Sequence, residues 1–141
     1  MDITYAMTPF IAWFMAGATK FAINSLKAGQ PAFGQIGYGG LPSNHSAMVS
    51  STAALIALRE GIDHPAFGVA LTLAFIVMLD ANSLRRQVGQ HAAMINRLTG
   101  CAPDAHLLRE RMGHTPLEIG VGVLVGILAA CLVDFVIPHP G

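Results

Sequence analysis

The sequence predicts an all-α integral membrane protein, a helical bundle with about four apolar spans and an amphipathic surface helix. Apolar residues make up 53% of the 141 residues and charged residues only 11%, and the mean hydropathy is +0.55. A soluble domain of this size carries more charge and less apolar surface. The length leaves room for a single domain, residues 1–141.

The charge and cysteine content exclude several other classes of protein. The formal net charge is zero at pH 7, and no cluster of Lys and Arg with interleaved aromatic residues occurs, so we expect no nucleic-acid partner. Cys101 lies in a polar connection and Cys131 in an apolar run, an arrangement unsuited to a disulfide framework or a metal site. No His-x-x-x-His or Cys-x-x-Cys spacing occurs either, although a zinc cluster of three histidines stays open at this point.

Two apolar spans precede residue 60. Residues 5 to about 23 are long enough to cross a bilayer. Residues 28–41 are rich in glycine and lack a clear period, which predicts a loop. Ser43 then caps a second span at about residues 46–58.

The second half of the chain holds two more spans and a polar helix. Span three covers residues 65–79, and residues 83–98 have the apolar spacing of an amphipathic surface helix. Span four, at about residues 117–137, is capped by Thr115 with Pro116 at its first position. Spans two and three have about 13 and 15 residues, fewer than the roughly 20 of a straight crossing. Short spans and the packing face offered by Gly122 and Gly126 are both compatible with a homo-oligomer.

Alternating crossings would bring most polar residues of the chain to one membrane face. The end of span one, the start of span two, the end of span three and the start of span four would then lie together. Seven of the eight Lys and Arg residues fall on this face, which the positive-inside rule places in the cytoplasm. The residues gathered there are Lys20, Lys27, Ser43, His45, Asp80, Arg85, Arg86, His114 and Glu118.

A glycine-rich turn at residues 39–47, Gly-Gly-Leu-Pro-Ser-Asn-His-Ser-Ala, leads into span two. Unpaired backbone N–H groups beside the positive end of a helix dipole favour a bound anion such as phosphate. The same residues are also an ordinary way to begin a helix.

Two further motifs follow in order: Asp-Ala-Asn-Ser-Leu-Arg-Arg-Gln-Val-Gly at residues 80–89 and Met-Gly-His-Thr-Pro-Leu-Glu at residues 112–118. With the turn, they resemble the type 2 phosphatidic acid phosphatase superfamily. The likeness is closest to its divergent branch of small membrane proteins, related to acid phosphatases and vanadium-dependent haloperoxidases. Lys27-Ala28 stands where the superfamily has Arg-Pro, and Glu118 where it has Asp.

The resemblance implies a metal-independent phosphatase without a cofactor. It implies that His114 is a nucleophile that forms a phosphohistidine, that Glu118 orients its ring, and that His45 gives a proton to the leaving group. Asp80 would hold an arginine in place. The implied phosphate ligands are Lys20, Lys27, Gly39, Gly40, Ser43, Arg85 and Arg86.

Each of these residues also has an ordinary structural explanation. Thr115 and Glu118 together make a capping box, and His45 can face lipid headgroups from the start of a helix. The basic side chains can extend toward the membrane surface and set the topology, and Asp80 can form a plain salt bridge. Lys20 is the strongest of the cations, because an ionisable group within an apolar span is functional by default.

We therefore expect a membrane phosphatase that hydrolyses a lipid phosphate monoester or diphosphate. The location expected is a bacterial inner membrane, with the site on the cytoplasmic face. The alternative is a non-catalytic membrane protein that binds an anionic lipid headgroup or lines a transport path. Vanadate-dependent oxidation fits less well, because that chemistry is typical of large soluble enzymes.

Overall fold

The computed structural model describes residues 3–31, 40–99 and 107–137. These residues form five α-helices and one π-helical segment. The helices are α1 (Thr4–Ala28), α2 (Asn44–Arg59), α3 (Pro65–Leu79), α4 (Arg85–Thr99) and α5 (Pro116–Val136), and the π segment is Asp80–Leu84. The predicted all-α membrane bundle is confirmed: α1, α5 and the continuous helix Pro65–Thr99 are long and apolar enough to cross a membrane.

The predicted third span and the predicted surface helix are one continuous helix of 35 residues. No glycine or proline interrupts residues 79–88, so nothing forces the helix to end. The polar residues between the two predicted elements form the π-helical segment Asp80–Leu84 instead of a break in the helix. Within it, Ser83 Oγ donates to the Leu79 carbonyl oxygen at 2.7 Å. The two predicted elements are therefore present as α3 and α4, and what the sequence did not predict is that the π segment joins them without a break.

The centre of the bundle is α2, which packs against α5, α1 and α3. It has 16 residues and is therefore about 24 Å long, short of the roughly 30 Å hydrocarbon core. Its buried residues are almost all small: Ser46, Ala47, Ser50, Ser51, Ala53 and Leu55. Small side chains allow close helix approach, and the neighbouring helices shield this short helix from lipid.

The Gly122 and Gly126 face of α5 packs against α2 of the same chain. A methyl group at Gly122 would lie 2.5 Å from the Ser43 carbonyl oxygen, and one at Gly126 would overlap the Ala47 carbonyl oxygen. This face is therefore covered within the chain. The expectation that these glycines favour a homo-oligomer is corrected accordingly.

Large apolar side chains point outward from the bundle. Trp13 is 52% exposed, Phe14 69%, Phe75 59% and Phe135 83%, whereas the core around α1, α2 and α5 is built from Ala12, Ala16, Ala47 and Ala129. A water-soluble protein avoids such a surface, but lipid solvates it well.

Polar side chains tie the helices together at the end of the bundle opposite the predicted site. Arg59 Nε lies 2.9 Å from Asp134 Oδ1, with the Arg59 side chain only 1% exposed. The Arg59 guanidinium also lies 5.7 Å from the centre of the Tyr5 ring, and the Tyr5 hydroxyl donates to Glu60. These contacts connect α1, α2 and α5 where the apolar core ends.

Candidate active site

A cleft of ≈ 240 Å³ lies at the bundle end where α1 finishes and α2 and α5 begin. Residues from the helices α1, α2 and α4 and from the segment before α5 contribute to its wall, in keeping with the predicted convergence of the spans. The lining residues are Trp13, Lys20, Asn44, His45, Met48, Arg85, Arg109, Arg111, Met112, Gly113 and His114.

Two backbone hydrogen bonds hold the start of α5 in this position. The Ser43 N–H donates to the Glu118 carbonyl oxygen at 3.0 Å, and the His114 N–H donates to the Ala81 carbonyl oxygen at 2.9 Å. Because the π segment shifts the helical hydrogen-bond register, so that the Arg85 N–H bonds to the Asp80 carbonyl, the Ala81 carbonyl is available to His114. The third motif thus bonds directly to both the first and the second.

His114 and Glu118 form a hydrogen-bonded pair at the cleft. His114 Nδ1 lies 3.1 Å from Glu118 Oε2, and the same oxygen accepts the Thr115 N–H at 2.9 Å. A carboxylate only accepts hydrogen bonds, so Nδ1 carries the ring proton and Nε2 keeps its lone pair. Thr115 Oγ1 also accepts the Glu118 N–H at 3.3 Å, which completes the capping box. The capping box and the histidine contact therefore exist together.

His45 lies in the first turn of α2, on the same cleft as His114. Partial burial lowers the pKa of His45, and the neighbouring Arg85, His114 and Lys20 lower it further, against an opposing effect of Asp80. The two histidines thus lie at the same end of the bundle, where the alternating crossings were expected to bring them.

Of the paired arginines, Arg85 is the one on the cleft. Arg85 lines the wall, and its Nε lies 3.1 Å from Asp80 Oδ2. Arg86 is exposed and is not among the lining residues. Asp80 thus pairs with Arg85, whereas the structure does not bring Arg86 to the cleft wall.

Three of the predicted phosphate ligands lie away from the cleft wall. Lys27 is exposed in the last turn of α1, two turns beyond Lys20. Ser43 is fully buried, and its Oγ caps α2 by accepting the Ser46 N–H at 3.4 Å, together with the Ser46 hydroxyl at 3.0 Å. Gly40 lies in the turn before α2 and does not line the cleft, and Gly39 is outside the described residues.

The segment 107–113 runs beside α4 and forms one wall of the cleft. Asn96 Nδ2 donates to the Leu108 carbonyl oxygen, and Asn96 Oδ1 accepts the Leu108 N–H, both at 2.8 Å. A side chain at Gly89 would overlap the Glu110 carbonyl oxygen, and Gly113 has a φ of +92°. The two glycines therefore let this segment pass close to α4 and turn into His114.

Sequence reasoning missed several residues of the cleft. Arg109 and Arg111 come from the segment that Asn96 holds. Trp13 and Met48 form an apolar wall below the basic residues, and Asn44 has a buried Oδ1 without a hydrogen-bond partner in the described part of the chain. The sequence did contain a sign of the two glycines' importance, since Gly89 and Gly113 stand within the two later motifs.

Among the described residues, no group of three or more His, Cys, Asp or Glu side chains is arranged to hold a metal ion.

Comparisons with known proteins agree with the motifs. A model of the "Divergent PAP2 family" matches residues 2–129. The chain is 34% identical over 113 residues to "Uncharacterized membrane protein YuiD" of Bacillus subtilis (strain 168), covering 69% of this chain and 72% of that protein. No solved structure matches. Since the family model spans nearly all of the sequence and includes all three motifs, the chain belongs to the Divergent PAP2 family.

Proposed function

We propose that this protein is a membrane phosphatase that hydrolyses a lipid phosphate through a phosphohistidine on His114. The observation that carries the proposal is the pairing of His114 with Glu118 on a cleft that also holds His45, Lys20 and Arg85. A nucleophile with an orienting carboxylate, a second titratable group and fixed cations are the parts that phosphoryl transfer requires.

The chemistry runs in two steps. His114 Nε2 attacks phosphorus, the bond to the lipid oxygen breaks, and His45 gives its proton to that oxygen. Water then attacks the phosphohistidine and loses its proton to His45, which releases inorganic phosphate and restores His114. Lys20 and Arg85 stabilise the charge on the phosphoryl oxygens in both steps.

The wall of the cleft supports a lipid as the substrate. Trp13 lies seven residues before Lys20 on α1, about 10 Å along the helix axis, and Met48 lies about one turn after His45 on α2. The basic residues of the cleft thus adjoin an apolar wall made by Trp13 and Met48. A phosphorylated headgroup fits the basic part of the cleft, and its hydrocarbon chain fits the apolar part.

The test is phosphate release from a panel of lipid phosphates by the purified protein in detergent. We expect His114→Ala to abolish release and His45→Ala to slow it. His91→Ala, on the exposed side of α4, is the matched control and retains activity. Release that persists in His114→Ala contradicts the mechanism.

A second substrate separates the roles of the two histidines. An aryl phosphate whose leaving group departs without a proton should restore much of the first-step rate to His45→Ala, but none to His114→Ala. If the wild-type protein releases phosphate from no substrate and still binds phosphate, the headgroup-binding alternative replaces the enzyme.

A further inference from the structure

Gly17 lies in the middle of α1, between two residues that line the cleft. Trp13 precedes it by four residues and Lys20 follows it by three, so the three residues share one side of the helix. Along the helix axis, Gly17 is about 6 Å from Trp13 and about 4.5 Å from Lys20. Both of these neighbours belong to the cleft wall. The glycine therefore stands where the apolar part of the cleft meets its basic part.

Packing does not require a glycine at this position. A Cβ atom at Gly17 would lie 3.9 Å from Asn44 Nδ2, which is an ordinary contact, and no other atom of the described neighbouring segments lies within 4 Å of it. At Gly122 and Gly126, by contrast, a Cβ atom would overlap backbone carbonyl oxygens. Glycine in a helix interior costs about 0.5–1 kcal/mol relative to alanine. Gly17 thus weakens α1 without relieving a clash.

The free space beside Gly17 belongs to the cleft. Asn44, the residue that an added Cβ atom would contact, is itself one of the lining residues. Gly120 of α5 also has free space beside it, but this residue is exposed on the outside of the bundle. A side chain at Gly17 would therefore extend into the cleft between Trp13 and Lys20, whereas a side chain at Gly120 would extend away from the protein.

We propose that Gly17 is a specificity-determining residue, across which the hydrocarbon chain of the substrate leaves the phosphate site. The inference rests on the proposed function. When the phosphate contacts Lys20, the first carbon atoms of the lipid must turn toward Trp13 and Met48. Gly17 lies between the two parts of the cleft and has no side chain to obstruct these atoms. A large side chain at this position closes the path to a lipid and leaves the basic residues in place.

The test adds a side chain at this position and compares a lipid phosphate with inorganic phosphate. Gly17→Leu fills the space, Gly17→Ala adds only the Cβ atom that fits, and Gly120→Leu adds the same leucine outside the cleft as the matched control. Hydrolysis is measured with the lipid phosphate that the wild-type protein cleaves fastest. Inorganic phosphate, the product, is used as a competitive inhibitor that occupies only the basic part of the cleft.

We expect Gly17→Leu to lower kcat/KM for the lipid by about ten-fold or more, because the added carbon atoms occupy the place of the chain. The inhibition constant of inorganic phosphate should stay within about two-fold of the wild type, as should both quantities in Gly17→Ala and Gly120→Leu. Normal lipid hydrolysis by Gly17→Leu overturns the proposal. An equal loss in Gly120→Leu, or a parallel loss of phosphate inhibition in Gly17→Leu, also overturns it.

A labelling experiment separates this inference from the proposed function, because it depends on binding and not on hydrolysis. Gly17→Cys, made in a protein whose Cys101 and Cys131 are replaced by serine, is treated with a small neutral methanethiosulfonate. At ten times its dissociation constant, a lipid that covers this position slows the modification about ten-fold.

We expect this protection from dioctanoyl phosphatidate or from farnesyl phosphate, and none from inorganic phosphate. If the wild-type protein hydrolyses no lipid phosphate but a lipid still protects Gly17→Cys, the phosphatase proposal fails and the path across Gly17 stands. If neither lipid protects at saturating concentration, or if inorganic phosphate protects equally well, the path across Gly17 is overturned.

Discussion

One carboxylate oxygen of Glu118 accepts hydrogen bonds from two donors, and the two contacts have different roles. The bond from the Thr115 N–H closes the capping box of α5, while the contact with His114 Nδ1 orients the imidazole. Glutamine also serves at this position of a capping box. A substitution can therefore separate the structural contact from the chemical one.

We predict that Glu118→Gln lowers kcat by about 10²- to 10⁴-fold while it leaves the thermal stability nearly unchanged, since the amide oxygen can still cap the helix but no longer carries the charge that stabilises imidazolium. Glu118→Ala should lose activity and also about 1 kcal/mol of stability, the usual cost of a lost cap. Phosphate release and thermal unfolding of both variants provide the measurements. Equal kcat for Glu118→Gln and the wild type would contradict the orienting role.

His45 has a lowered pKa because it is partly buried among Arg85, His114 and Lys20. The neutral form is therefore favoured before substrate binds, although the proton donor must be charged. A bound phosphate brings negative charge to the same place and raises the pKa again. Binding of the substrate thus favours the protonated form that the first step needs.

We predict that the titration midpoint of His45, followed by NMR with labelled histidine, lies below the ordinary histidine value of about 6.5. It should rise when inorganic phosphate is added and also in Arg85→Gln, because each change reduces the positive potential at the ring. The resonance is assigned by its loss in His45→Asn. A midpoint that does not respond to either change would show that the cleft charges do not reach this ring.

At the scale of elements, the α2–α5 interface depends on the absence of side chains at two positions. Gly126 faces the Ala47 carbonyl oxygen, whereas Gly120, on the same helix, faces open space. This difference offers a matched pair of substitutions. Both add one methyl group to α5, but only one of them has an atom in its way.

We predict that Gly126→Ala lowers the stability of the detergent-solubilised protein by about 1–3 kcal/mol, the usual cost of an overpacked interior. Gly120→Ala should not destabilise it, since alanine is the better helix former. Unfolding followed by circular dichroism compares the two. Equal stability would mean that α5 shifts away from α2 at little cost.

The segment 107–113 depends on Asn96, which bonds both polar groups of the Leu108 backbone. We predict that Asn96→Ala accelerates hydrogen exchange at residues 107–112 and lowers kcat/KM roughly ten-fold, because two bonds of about 1 kcal/mol each no longer hold the arginines in place. Gln90→Ala, on the exposed side of α4, is the control. Unchanged exchange in Asn96→Ala would show that other contacts hold the segment.

At the scale of the whole molecule, the two ends of the bundle have different chemistry. One end holds the cleft, while the other holds the ion pair of Arg59 with Asp134. The excess of cations at the cleft end favours the cytoplasmic side of the membrane.

We predict that Asp63→Cys reacts with a membrane-impermeant maleimide in intact cells, whereas Ser83→Cys reacts only after permeabilisation. Both positions are exposed and lie at opposite ends of α3. The native Cys101 and Cys131 are replaced by serine beforehand. The reverse pattern would place the cleft on the outer face, and labelling of both from one side would contradict the crossing of α3.

Much of the element level followed from the sequence. The bounds of α3 were predicted to the residue, and the caps at Ser43 and Thr115 were identified, because apolar runs and capping residues act locally. The convergence of the motifs followed from alternating crossings alone. The continuous helix through Asp80–Leu84 did not, since a π segment depends on contacts made by its freed carbonyl with residues far along the chain.

The sequence by itself determined which residue types are present for the chemistry and which end of the bundle receives them. Only the tertiary structure decided which side chains reach the cleft. Lys27 lies on the same stripe as Lys20 but two turns beyond it, and the register of the π segment selects Arg85 over Arg86. Rotation and depth at a site are set by packing between distant segments, such as Gly89 against Glu110, and no local pattern contains that information.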